Sequence, residues 1–553
     1  MPPFLRPLLL LLTLQTLAGC EDTPPPPTTD AGTADAGTAD AGTADAGTAD
    51  AGPYVWDGTY TELEERGDWQ DTGPFAPCAF DAQDASTNAC EELSRFDMSR
   101  CDPEALAALP QDGIYLANGR DDRLLADGGP PDSTSPLGFQ LRTDGGTSTM
   151  YDEPLLHRDT EGGRFAVVGR LTRTGTTVAM LGCQTPAPGI VTGCFASCRR
   201  GKVNQRGTFQ AHRVAHSSGE PESSGGLTLV SERFVAVGQP VDVYVAKGHA
   251  YVVSLSHLGR PGGLTVFDVS DPKNPVFRTS ISLPSDNFWN GVWAKGDALY
   301  VASSVMGTLV YDITQPAAPT FVRNLPTGDF GAHTVLVDGD RLYAMVPNTG
   351  TFVYDVTQPL NPVPRARITV PGDVDSGGPH DTFAHGNRLY ISNAFGPYAV
   401  MDVTDLDDVK LLGTYPRPDL AYSHHSAVGT FAGRTLAFEG GEFNASHVRV
   451  LDVTNPARIV KLGEFRMRPI TSVHNLILRG TRLYVAWYHE GLRVLDVSNP
   501  TKPTQLAHYN TFRETDPHRG DSIFEGVFSV RLPGDGYVYI VDSSRGLLIF
   551  NEL

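Results

Sequence analysis

The chain has 553 residues, with 43 lysines and arginines against 64 aspartates and glutamates, for a formal net charge of −21. That length exceeds one ordinary hydrophobic core, so more than one folded unit is expected. The acidic balance disfavours nucleic acid as a partner, because such binding rests on basic side chains neutralising phosphates.

At the N-terminus Arg6 precedes the apolar run Leu8 to Leu12, and Leu17-Ala18-Gly19-Cys20 follows. This reads as a signal peptide over residues 1–19 ending in what resembles a bacterial lipobox, a signal whose cysteine receives lipid. The apolar run is too short to span a bilayer as a helix, which takes about twenty residues. Cys20 is therefore the expected lipidation site, and a membrane the expected partner at this end. An uncleaved anchor, or an ordinary secretory peptide with a stray cysteine, is the competing reading. Residues 20–53 hold consecutive prolines, Pro24 to Pro27, and a five-residue Asp-Ala-Gly repeat opened by Asp30, Asp35, Asp40, Asp45 and Asp50. Without aromatic or branched apolar side chains such a segment cannot offset chain entropy, so a disordered tether is expected.

Residues 54–226 are expected to form a small cysteine-containing β domain followed by a linker. Cys78, Cys90, Cys101, Cys183, Cys194 and Cys198 all lie here. An even number in an exported chain argues for three disulfides, with fifteen pairings possible. A zinc site at Cys194 and Cys198 is the competitor, although paired Cys-x-x-Cys hooks are missing. Asp102-Pro103-Glu104, followed by Ala105 to Leu109, has the pattern of a capped short helix. Apolar runs at 113–119, 139–146, 164–183 and 207–214 read as strands of a meandering barrel or sandwich. His212 and His216 read as surface residues, and the Gly/Ser-rich stretch from Ser217 to Gly226 as a domain boundary.

Residues 227–553 are built on one repeated unit. VLDVSNPTKP at 494–503 has counterparts anchored on Asp268, Asp312, Asp355, Asp402 and Asp452, and a truncated copy at Asn551. Six steps from Asp268 to Asn551 give a period of roughly 47 residues, that of four-stranded propeller blades. In each copy an apolar strand runs into an Asp whose side chain caps a turn, and a proline usually ends the ladder. Upstream sits a hairpin: GDALY (296–300), GDRLY (339–343), GNRLY (386–390) and GTRLY (480–484). The expected fold class is all-β: a seven-bladed β-propeller preceded by a small disulfide-bearing β domain and a disordered N-terminal tether. The last unit lacks room for an outer strand, and LTLVSERFVAVG (227–238) has the composition to supply it, which would close the ring. An open solenoid is the alternative.

These repeats, with the lipobox, make the chain similar to the bacterial LVIVD-repeat proteins, a family of β-propellers often found at cell surfaces. The resemblance covers about residues 227–553. It implies architecture and surface location and carries no chemistry to individual residues. One turn departs from the pattern, since Leu406 stands where the other copies have proline.

Ten residues before the hairpin tyrosine stand Asn290, His333, His380 and His474; with one-residue slips Asp242 and His425 take the same place, and Glu525 does so in the last unit. At the start of an innermost strand these seven are expected to face the channel mouth as ligand-binding candidates. The imidazoles of His333, His380, His425 and His474 could hold a transition metal such as copper, zinc or iron. The competing reading is that the polar side chains tie neighbouring blades together and solvate a wet channel. His424, His447, His489, Glu442 and Glu490 fall on loops expected to open on the same face. Asp373, Asp375 and Asp381 form an acidic loop that could take calcium but lacks the terminal Glu of a calcium loop. Arg519-Gly520-Asp521 spells an adhesion tripeptide of no special weight, and Trp289, Trp293 and Trp487 read as packing aromatics. The expected function is that of a cell-envelope lipoprotein, at the outer membrane or cell surface. Its monomeric propeller would serve as a binding scaffold for a protein or glycan. The alternative is a metal-dependent enzyme, redox chemistry included, with a histidine-lined site at the channel mouth.

Overall fold

The computed structural model describes residues 55–83, 88–123, 134–215, 220–328, 330–371, 376–416 and 422–553. The signal peptide, Cys20, the tether, His216, Asp373 and Asp375 lie outside the described residues.

The first unit is a closed eight-stranded antiparallel barrel. Its strands follow one another in chain order from Gly113–Asp121 to Lys202–Arg213, which pairs back onto the first. Alternation places Tyr115, Phe139, Phe165, Phe195 and Phe209 inside, with Tyr115 and Phe139 stacked at 5.2 Å between centroids. Asp102 caps the single-turn helix Pro103–Leu106, its carboxylate accepting from the amides of Glu104 and Ala105. The six cysteines form three disulfides, Cys78–Cys194, Cys90–Cys198 and Cys101–Cys183, which pin the segment 78–101 to the barrel's outer wall. Such a set is compatible with an extracytoplasmic protein. Among the described residues no helix is long and apolar enough to cross a membrane.

The repeat region is a β-propeller array of antiparallel four-strand units spanning 239–281, 289–325, 334–368, 377–415, 422–465 and 476–509, with a final sheet over 527–551; the 377–415 and 422–465 units join through Ala394–Ser423 into one eight-stranded sheet, and Ser223–Ser224 adds a fifth strand to the 476–509 unit. The outer strand of that final sheet is Leu229–Arg233, which pairs with Gly546–Asn551 through Leu229–Phe550 and Arg233–Leu547. The innermost strands pack side by side in chain order, and the last, Val527–Arg531, packs on the first, Gln239–Ala246.

The repeated residues explain this packing. The carboxylates of Asp268, Asp312, Asp355, Asp402, Asp452 and Asp496 each accept from the amide two residues on, at 2.7–3.0 Å. That bond turns the chain out of the third strand. Just before each Asp the ladder carries a bulge, which twists the outer strand away. The hairpin tyrosine reaches the next sheet: Tyr251 donates to the Pro316 carbonyl at 3.0 Å, and Tyr300 to that of Pro359 at 2.7 Å. Gly386 and Asn387 both take positive φ in their hairpin, which few residues other than glycine and asparagine tolerate.

The barrel docks on the propeller loops that precede the innermost strands of the last two sheets. Ile114, Leu116 and Val214 pack with Ile470, Phe512 and Ile523. Asn118 donates to the Pro469 carbonyl at 3.1 Å, and Arg213 pairs with Glu514 at 2.7 Å. His212 is half-buried beside Arg468 rather than on open surface, and burial pushes its imidazole down to about 4. An N-terminal strap joins the two units. It inserts Trp56 into the core of the 422–465 sheet, bridges Leu63 to Lys461, and pairs Asp71 with Arg120 of the barrel at 2.7 Å.

Asp152 of the barrel and Asp521 of the propeller face each other, each accepting from the other's amide, at 2.9 and 2.6 Å. Burial, then the neighbouring carboxylate, pushes Asp521 well up, and burial also raises Asp152. The docked pair therefore retains a proton that free carboxyls release above about pH 4. Docking is fully supported in acid and loses this contribution as pH rises through the docked values. Asp521→Asn is expected to flatten the fall in melting temperature between about pH 5 and pH 9. A thermal-shift series across that range checks it, and an unchanged slope would count against the pair as its source.

Candidate functional site

The innermost strands converge at one mouth of the ring, and there the structure gathers histidines from four consecutive sheets. His333 and His474 each precede an innermost strand and donate their amides to the carbonyls of Met345 and Ala486, so both side chains enter at the same level. His380 and His424 sit on bulges, between Gly377 and Asp381 and between Ser423 and His425. A bulge adds one unpaired residue and re-aims its side chain. The rings follow one another as His333, His380, His424 and His474, with centroids 4.3, 4.1 and 4.1 Å apart. His333 Nε2 meets His380 Nε2 at 2.8 Å, and Asn290 Nδ2 approaches His333 Nε2 at 3.2 Å.

Glu442 closes the group. Its Oε1 accepts from the Tyr488 hydroxyl at 2.6 Å and lies 3.8 Å from His474 Nε2, while Oε2 lies 3.9 Å from His424 Nε2. The Phe528 carbonyl contacts His474 Nδ1. A carbonyl only accepts, so Nδ1 carries the proton and the Nε2 lone pair turns toward Glu442. Burial pushes His333 down to about 4 and His474 to about 3; burial and the neighbouring imidazoles hold His380 and His424 well below the usual histidine range. Burial pushes Glu442 up to about 7. The site is thus a set of neutral imidazoles beside one carboxyl group, chemistry suited to ligating a cation. Tyr422, Phe443, Tyr488 and Phe524 form an aromatic layer over it, joined edge to face. Phe443 and Phe524 in turn pack against the barrel-docking cluster.

The other candidates lie elsewhere. His425 is a correction: the bulge before it sends His424 into the cluster, while His425 Nδ1 accepts from the Leu476 amide at 3.3 Å and Nε2 faces Asp381 at 3.8 Å. Asp242 ties sheets together, accepting from the Val292 amide at 2.9 Å and the Ser529 hydroxyl at 2.6 Å. Glu525 is the second correction. Ladder pairing of Ser529 with Val541 puts Phe528, not Glu525, level with His474. Glu525 sits in the preceding loop among Arg519, Ser543 and His257. Asp381 bonds Thr334 and Thr382 within the sheets. His447 pairs with Asp68 at 2.8 Å, and Glu490 with Arg468 at 2.6 Å, both outside the histidine group. Arg519 and Asp521 are buried, which removes the tripeptide from the surface. Trp289 and Trp487 are core residues, and Trp293 is half-buried under the Arg531 guanidinium at 4.6 Å.

A cyclic array of four-stranded antiparallel units defines the β-propeller class of repeat proteins. Within that class the chain carries LVIVD repeats, matched at residues 238–282, 290–327 and 472–511. No curated protein matches it in sequence. Among solved structures, the WD40 β-propeller domain of Doa1 aligns at 13% identity over 60% of this chain and 98% of that one, with a TM-score of 0.45. BamB from Moraxella catarrhalis aligns at 12% identity over 59% and 98%, with a TM-score of 0.38. A computationally designed protein, Ika8, aligns at 8% identity over 66% and 95%, with a TM-score of 0.40.

Proposed function

We propose that the chain is an envelope scaffold, tethered by lipid at Cys20, whose seven-bladed ring takes a protein partner along the outer strands of its first four blades. One observation carries this reading. Phe277, Phe321, Val363 and Leu411 stand on those outer strands at 56%, 47%, 50% and 40% exposure. Among the described residues nothing pairs with the free edges of those strands. The next two blades differ: the strap bridges Lys461 on one, and Ser223–Ser224 pairs with Tyr509 and His508 on the other. A free strand edge beside apolar side chains offers main-chain bonds and side-chain contacts together, which suits a polypeptide better than a glycan. The loop-rich mouth does not present an open face on the barrel side, since the barrel itself docks there.

Photo-crosslinking residues placed at Phe277 and Phe321 are expected to trap a discrete protein adduct in intact envelopes, while one at Arg66 on the strap traps none. Equal trapping at all three, or none at Phe277 and Phe321, would sink the proposed surface. Cys20→Ser is expected to move the chain from the membrane to the soluble fraction, and retention in the membrane would remove the anchor.

A further inference from the structure

We infer that His380, His424 and Glu442 form a binding site for a divalent transition-metal ion, with His474 beside them as a fourth donor. The inference goes beyond the scaffold reading and does not depend on it. One donor atom from each of the three lies within 4.8 Å of the others, and all three residues are buried. Zinc bonds of roughly 2.0–2.2 Å hold neighbouring donors roughly 3–3.5 Å apart, so loading requires closure by one to two ångströms.

Three further observations point to a cation rather than to packing alone. The Nδ1 atoms of His380 and His424 are both buried with no hydrogen-bond partner among the described residues, so each of these two rings keeps a nitrogen that no neighbour satisfies. The Tyr488 hydroxyl holds Glu442 through Oε1, leaving Oε2 toward His424. The Phe528 carbonyl fixes His474 with its Nε2 lone pair toward the same carboxylate. Partners of this kind behind the donors are how proteins orient metal ligands. Two imidazoles and a carboxylate suit zinc, copper or ferrous iron, and are poor ligands for calcium or magnesium, which take oxygen donors. The donors come from the fourth and fifth blades and the fourth candidate from the sixth, so a bound ion would stitch three blades together beneath the aromatic layer.

The test uses the whole tag-free chain, stripped with chelator, incubated with Zn²⁺ or Cu²⁺, desalted and assayed by elemental analysis. About one ion per chain is expected, with a higher melting temperature and nitrogen couplings in the Cu²⁺ paramagnetic resonance spectrum. Glu442→Gln and His424→Gln, checked for folding by circular dichroism, are each expected to lose the ion, and Ca²⁺ and Mg²⁺ not to be retained. Folded wild-type chain that keeps no ion overturns the inference, as does full retention in both variants. Should the variants fail to fold, a Cu²⁺ spectrum without nitrogen couplings overturns it alone.

Discussion

Replacing Arg449 with methionine is expected to cost about 3–5 kcal/mol of stability at neutral pH, the scale for removing one partner of a buried ion pair. The guanidinium is fully buried between the strap and the 422–465 sheet, 2.9 Å from Glu65, 2.9 Å from Asp68 and 3.6 Å from Glu439. Burial alone would raise Glu65, but the charge and hydrogen bond of Arg449, with Lys461, bring it down to about 2. A depressed carboxyl adds stability that is present above its unfolded value, near 4.5, and is lost as pH falls toward 2. Methionine keeps much of the packing and leaves the carboxylates facing one another without a counter-charge. The gap between wild type and variant is therefore expected to be widest near pH 7 and to close as acid neutralises them. Denaturant titrations at about pH 7 and pH 4 measure it. A gap that stays constant would mean that lost packing, not charge, sets the cost.

Loss of the Cys90–Cys198 disulfide is the second large effect. The two residues are 108 apart in sequence, a loop whose closure alone would be worth about 4.7 kcal/mol in the chain-entropy account. With Cys78–Cys194 intact, however, the shortest covalent path between them runs only through 78–90 and 194–198. The loop released is then near the fifteen-residue case, and Cys90→Ser with Cys198→Ser is expected to cost about 3 kcal/mol. Full reduction also opens the longer loops and is expected to cost two to three times as much, comparable to the whole stability of a domain. Every paired cysteine lies in the barrel unit, so the barrel is expected to melt first under reductant while the propeller keeps its strands. Calorimetry with and without reductant separates the transitions, and a single unshifted transition would contradict this.

What could be read from the sequence is what depends on neighbours along the chain. The Asp268-type turn is a bond to the second amide onward, and the Gly386-Asn387 hairpin is a matter of local dihedrals, so both show as short motifs. The clasp was legible because Asn551 ends a unit too soon and Leu229–Arg233 has strand composition with no other place in the count. His424 is hidden by a longer hairpin: Ala427 pairs with Phe438 across eleven residues where Leu336 pairs with Tyr343 across seven, so a count of ten back from the hairpin does not reach it. Glu525 lies fourteen residues before Tyr539, outside a one-residue slip from ten, and Phe528 takes the place level with His474. The docking of the barrel and the strap's hold on Arg449 rest on contacts across hundreds of residues, such as Glu65 with Arg449, and no local pattern announces them.

The pairing of Leu229–Arg233 with Gly546–Asn551 also governs the order of assembly. The first of these strands leaves the ribosome or export channel long before its partner exists. Until the C-terminal strand arrives, the final sheet lacks its outer half, and both ends of the array show unpaired edges able to recruit another chain. Synthesis of the 546–551 strand is thus the event that joins the circle, and products that stop short of it would be marked for aggregation or proteolysis by the gap they leave.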